Sequence, residues 1–93
     1  MSRDARDVLR DVDSVFYAGE VWISWPQLAQ RLRDQFPEAY AAETADSISA
    51  KVRALKIETK KGRDKFDDNR SVWGVPREWV LEGIQRREIE ARR

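Results

Sequence analysis

The residues of this chain best suited to chemistry are cations, and they are concentrated. Lys51, Arg53, Lys56, Lys60, Lys61, Arg63 and Lys65 fall between Thr44 and Lys65 against three acids, a segment charge of +4, whereas residues 1–43 carry −3 and residues 66–93 carry 0. The formal net charge of +1 therefore conceals a polarised chain. Clustered Lys and Arg hold polyanions, and a basic stretch confined to two neighbouring elements is the electrostatic footprint of nucleic-acid binding. The alternative is that Lys60, Lys61, Arg63 and Lys65 solvate a hairpin tip or guard a sheet edge, which leaves Lys51, Arg53 and Lys56 without a role. Other chemistry is poorly supplied. The chain has no Cys and no His, so thiolate nucleophiles, imidazole bases and the usual zinc sets are excluded. Its four glycines, at 19, 62, 74 and 83, cannot be arranged into a phosphate-binding loop of either common pattern. Asp64, Asp67 and Asp68 can in principle hold magnesium for phosphodiester cleavage, but acids mixed with Lys and Arg in D-K-F-D-D-N read first as turn chemistry. The expectation is a chain with no catalytic residues, no cofactor and no metal.

Two elements must position the cations. Ile48, Val52 and Leu55 recur at helical spacing and predict a helix over 44–56 with one apolar stripe. Thr44 is placed to cap its start. The opposite face holds Asp46, Ser47, Ala50, Arg53 and Ala54, with Ser49 and Lys51 at its flanks. These are small side chains around one long basic one, and such a face lets a helix backbone approach a major groove whose base edges are open to an Arg fork or a Ser hydroxyl. Ala and Ser as filler on a solvent-exposed helix is the plainer reading of the same face. Residues 57–60 then read as a strand, Lys61 to Arg70 as a charged turn around Gly62, and 71–75 as the returning strand with Val72, Trp73 and Val75.

The remaining elements are scaffold. Val8, Leu9, Val12, Val15 and Phe16 predict a first helix over Arg3–Tyr17, whose other face mixes Arg and Asp at helical pairing distance. Glu20–Ile23 reads as a short extended piece. Ser24 opens a second helix in S-W-P-Q, where a hydroxyl caps, Pro26 sits in the first turn and Gln27 follows at capping-box spacing. Leu28, Ala29, Leu32 and Phe36 line its buried side, with Gln27, Gln30, Arg31, Arg33 and Asp34 outward. After Pro37, a connection with room for an extra helical turn is pinned by Phe36 and Tyr40. A last helix from Pro76 carries Trp79, Val80, Gly83 and Ile84 on one face. Gly83 costs about 1 kcal/mol relative to Ala there, so close approach of another element is expected. Residues 85–93 form a charged tail, either frayed or the start of something longer.

The sum is a mainly α fold with a small antiparallel sheet, a winged helix-turn-helix in the order helix, strand, helix, helix, strand, wing, strand, helix. It spans 1–93 as one domain with its core over about 5–84. A chain of this size buries roughly 60–65% of its unfolded surface and folds without staples. The absence of cysteine, of a leader and of any long apolar run fits a cytoplasmic protein. Four tryptophans raise the question of a single-strand stacking platform, but Trp22, Trp73 and Trp79 occupy positions expected in the core, leaving Trp25 as the exception. Phe66 at the wing tip either enters a minor groove or folds back under the wing.

The order of residues 13–57, followed by R-S-V-W-G-V-P-R-E-W-V at 70–80, resembles the C-terminal winged-helix (gamma-type) domain of FtsK/SpoIIIE-type DNA translocases. It is most similar to those of the TraB-like pumps of actinobacterial conjugative plasmids. T-A-D-S-I-S-A-K-V-R-A-L-K-I at 44–57 is similar to the family's T-A-D-x-[VI]-S-A-x-x-R-A-L run, and G-V-P-R-E-W-V at 74–80 to its G-x-R-R-x-D-V closing segment; the likeness covers about residues 12–84. It implies recognition of a short, repeated duplex sequence and loading or orienting of a hexameric ATPase whose motor lies elsewhere on a longer chain. On that basis Ser47, Ser49, Ala50, Lys51, Arg53 and Lys56 are the recognition-helix contacts, and Lys60, Lys61, Arg63, Lys65 and Arg70 the wing contacts. The chain departs from the family in its long connection before the recognition helix, in its acidic wing and in starting with Met-Ser without a motor. It is expected to be either an excised domain or a free-standing small DNA-binding regulator.

The expected partner is double-stranded DNA, with no membrane segment, an isolated domain that is monomeric, and several copies acting together on repeats. The alternative is a protein-docking module that uses the same helix face and basic wing. A nuclease built on Asp64, Asp67 and Asp68 is the third reading.

Overall fold

The S-W-P-Q and T-A-D-S stretches cap helices as their spacing requires. Ser24 Oγ accepts the Gln27 N–H at 3.3 Å, and Thr44 Oγ1 accepts the Ser47 N–H at 3.2 Å while Ser47 Oγ accepts the Thr44 N–H at 2.8 Å. These are reciprocal bonds of a capping box, with Ser in place of the usual acid or amide. In the computed structural model, which describes residues 7–64 and 70–91, the elements follow as α1 (Val8–Ser14), β1 (Trp22–Ser24), α2 (Trp25–Gln35), α3 (Pro37–Tyr40), α4 (Ala45–Ala54), β2 (Lys60–Asp64), β3 (Arg70–Pro76) and α5 (Arg77–Ala91). The described chain is mostly helical, with one three-stranded antiparallel sheet ordered β1-β3-β2. No described helix is long and apolar enough to cross a membrane.

The core forms where these elements meet. Leu9 and Val12 of α1, Leu28 and Leu32 of α2, and Ile48 and Val52 of α4 are buried together with Ile23, Val75, Val80 and Ile84. The connection before α4 closes as a helical turn: Tyr40 is buried, its hydroxyl donates to Asp11 Oδ2 at 2.7 Å, and its ring meets that of Phe36 at 6.1 Å between centroids. Gly83 lies under Ile57, where a Cβ would come within 2.7 Å of Cδ1. This is the close approach expected of a helical glycine.

Several expectations are corrected. The first helix ends at Ser14 rather than Tyr17, and residues 3–6 lie outside the described chain. Leu55 does not continue the α4 stripe. The helix ends at Ala54 and Lys56 turns into the left-handed region at φ 66°, so Ile57 takes the core position and Leu55 is exposed. The next strand consequently starts at Lys60, not at Ile57. Arg31 does not face out: it is 5% exposed, with Nη1 and Nη2 donating to the two Glu20 carboxylate oxygens at 2.6 and 2.9 Å and Nη1 also to the Val15 carbonyl at 3.1 Å. The Arg and Asp side chains of the first helix form one of the expected pairs at helical spacing, Arg10 with Asp7 at 3.1 Å, but they also reach another element. Asp7 pairs with Arg87 at 2.7 Å, Asp13 with Arg77 at 2.9 Å, and Arg10 with Glu88, so they clasp α5, which stays helical through the expected tail to Ala91.

Candidate nucleic-acid interface

Register decides which cations share a face. Opposite residues of an antiparallel pair lie on the same side, and side chains alternate along each strand. The register therefore puts Lys61 beside Trp73 and Arg63 beside Ser71, on the face that Ile23 and Val75 carry into the core. Lys60 and Gly62 fall on the other face, opposite Gly74 and Val72. There Trp22 lies across both glycines: a Cβ on Gly62 would come within 2.7 Å of the indole, and one on Gly74 within 2.6 Å. The Trp22 Nε1–H donates to the Lys60 carbonyl at 3.0 Å. Gly62 is thus a strand residue that admits an indole, not the turn glycine expected. Beside it a groove of about 670 Å³ runs between Trp22, Val21, Pro76 and Leu81.

The core-side face of the sheet continues beyond the core edge toward α4. Trp73 is 54% exposed there, contrary to its expected burial, and the Lys61 ammonium lies 5.8 Å from its ring centroid. Arg53, Thr59 and Trp73 together border two adjoining depressions between α4 and β3. One, of about 280 Å³, reaches Ser49 and Trp25, and the other reaches Lys56 and Glu58. Arg53, Lys56 and Trp73 thus lie about one cleft with Lys61 beside the indole, while Lys61 and Arg63 also border the groove on the Trp22 side. Trp25, expected as the outlying aromatic, is buried.

The α4 residues differ in what holds them. Ala50 is exposed, and Arg53 is exposed with its Nε–H directed to the Ser49 carbonyl at 3.4 Å. Lys56 is exposed at the helix exit. Ser49 is buried, at 9% exposure, because its position turns toward the sheet and Trp25. Ser47 belongs to the cap and also donates to Glu43 Oε1 at 2.7 Å, while the other Glu43 oxygen accepts from Lys51 Nζ at 3.0 Å. These bonds from Ser47 and Lys51 hold the Glu43 carboxyl below the usual carboxylate range. Lys65, Phe66, Asp67 and Asp68 lie outside the described residues. Arg70 opens β3 in register with Asp64.

The described ion pairs lie elsewhere or involve Glu43. Arg10, Arg77 and Arg87 pair along the α1–α5 contact and Arg31 pairs with Glu20, but none of the described salt bridges involves Arg53, Lys56, Lys60 or Lys61. Among the described residues no group of three or more His, Cys, Asp and Glu is placed to hold a metal ion. No protein-family model matches this chain, and no curated protein or solved structure is significantly similar to it.

Proposed function

We propose that this domain is a winged helix that binds duplex DNA, with α4 in the major groove and the β2–β3 pair acting as the wing on flanking backbone. One observation carries the reading: Arg53 and Lys56 border the cleft that Trp73 lines, Lys61 lies beside the Trp73 ring, and none of the described salt bridges engages these three cations. Arg53 is the base reader, since it is the long donor on a helix face otherwise made of small residues. Lys56, Lys61 and Arg63 contact phosphates. Ser47, Lys51 and buried Ser49 support the helix rather than reading bases. Lone-domain affinity for arbitrary sequence falls at about 10⁻⁴ to 10⁻⁶ M, so tight binding requires repeated sites and linked copies. The likeness at 44–57 and 74–80 to the winged-helix domains of FtsK/SpoIIIE-type translocases extends the proposal to orienting such a motor on repeated DNA.

The test is selection of bound duplexes from a random pool, followed by titration of variants. Arg53→Ala is expected to remove about 1–3 kcal/mol of discrimination between selected and scrambled duplexes. A Lys61→Glu, Arg63→Glu pair is expected to weaken both alike. Failure of the unsubstituted domain to bind any duplex at low salt sinks the reading and turns attention to protein docking by the same face.

A further inference from the structure

Trp73 is a large apolar side chain left more than half exposed on the face that its neighbours Ile23 and Val75 carry into the core. Two features make it more than an overhanging core residue. Its in-register neighbour is Lys61, whose ammonium lies 5.8 Å from the ring centroid. It also stands between the two depressions that Arg53 and Thr59 border from the α4 side, and Lys56 lines one of them. An indole bracketed by cations on both sides of a cleft matches the chemistry of a nucleic-acid strand, in which apolar sugar faces alternate with phosphates.

We infer that Trp73 is a direct DNA contact: one strand of the duplex passes along the cleft between α4 and β3, with a deoxyribose against the indole face, Lys61 on the adjacent phosphate and Arg53 reaching past the strand to the base edges. This rests on the duplex-binding reading above. A sugar is the fitting partner because a paired strand presents its backbone outward, whereas placing a base on Trp73 requires extruding it from the stack. The indole then supplies what the cations do not, an attachment that persists when salt screens them. Neutral apolar contact releases no counterions, so its share of the affinity does not follow the salt dependence of phosphate contacts.

The experiment compares the unsubstituted domain, Trp73→Phe, Trp73→Ala and Lys61→Ala on the selected duplex at two salt concentrations. Retained folding is checked by thermal melts. Burying the exposed part of the indole corresponds to about 10- to 50-fold in affinity, so Trp73→Ala is expected to lose that much with an unchanged salt slope. Trp73→Phe should fall between, and Lys61→Ala should lower the slope by about one. The emission lost in Trp73→Phe should change when the duplex saturates the unsubstituted protein, a readout that needs only the Phe variant to fold. Duplex binding that survives Trp73→Ala within about 2-fold, with no change in that emission, overturns the inference and leaves the duplex reading standing. An effect of Trp73 seen only on DNA carrying an unpaired base overturns it in favour of base stacking. Absence of duplex binding by the unsubstituted domain removes both.

Discussion

Lys56 holds a backbone angle that ordinarily costs stability. A left-handed residue just past a helix is ordinarily Gly, because an L side chain there pays about 1–2 kcal/mol, yet this position carries Lys at φ 66° with its side chain exposed. Lys56→Gly is expected to raise the melting temperature by about 2–6 °C, a gain of about 0.5–1 kcal/mol in a domain of this size. The same change is expected to weaken duplex binding several-fold by removing the phosphate contact proposed for Lys56. Thermal melts and binding titrations on one preparation check both, and a variant that is more stable without losing affinity removes Lys56 from the interface. Arg31 is buried by residues outside its own helix. Its spacing puts it on the polar side of α2, but Glu20 in the preceding turn reaches its guanidinium, and Tyr17 stacks over it with Cζ 3.7 Å from the ring centroid. Nothing local to α2 announces that pairing, so its burial could not be read from helical periodicity.

Among the elements, local signals were legible and nonlocal ones were not. The starts of α2 and α4 follow from hydroxyls and Pro within a few residues, and those starts are where the structure has them. The exposure of Trp73 depends on how far β3 runs past the body, and the burial of Ser49 on where Trp25 and the sheet lie. Strand alternation and small-residue composition carry neither fact. The turn into α4 is also an electrostatic unit. Glu43 accepts from Ser47 and Lys51, and these bonds lower its pKa. A depressed native carboxyl contributes stability that is fully present above the unfolded carboxyl's pKa and is lost as pH falls through the native one. Acid melts of Glu43→Gln are therefore expected to show a shallower loss of stability below the ordinary carboxylate range than those of the unsubstituted protein. At neutral pH the same substitution releases Lys51 and removes a negative charge beside α4, and duplex affinity is expected to rise a few-fold. Weaker binding would show instead that the Glu43–Lys51 pair holds α4 in its binding geometry.

At the scale of the whole molecule, charge is divided by task. The pairs Asp7–Arg87, Arg10–Glu88 and Asp13–Arg77 join α1 to the C-terminal element at the surface, and exposed pairs of this kind contribute about 0–1 kcal/mol each. The α4 and β2–β3 side holds cations outside those pairs. Raising salt is therefore expected to act unequally. Duplex affinity should fall with a log–log slope of about −3 for the three phosphate contacts proposed for Lys56, Lys61 and Arg63, while the melting temperature shifts by only a few degrees. Parallel titrations and melts over one salt series check this, and a flat binding curve would mean that the cations are not on the DNA.

The α1–α5 clasp also orders events in time. Residues 7 and 87 meet across 80 positions of sequence, 10 and 88 across 78, and β1 finds β3 only when Val75 and Pro76 exist to pair with it. On a ribosome, which adds residues from the N-terminal end, β1 waits unpaired until β3 has emerged and α1 waits for its α5 partners until residues 87 and 88 have emerged. The molecule thus closes late and as a unit, and during synthesis its exposed early segments are the ones a chaperone would meet.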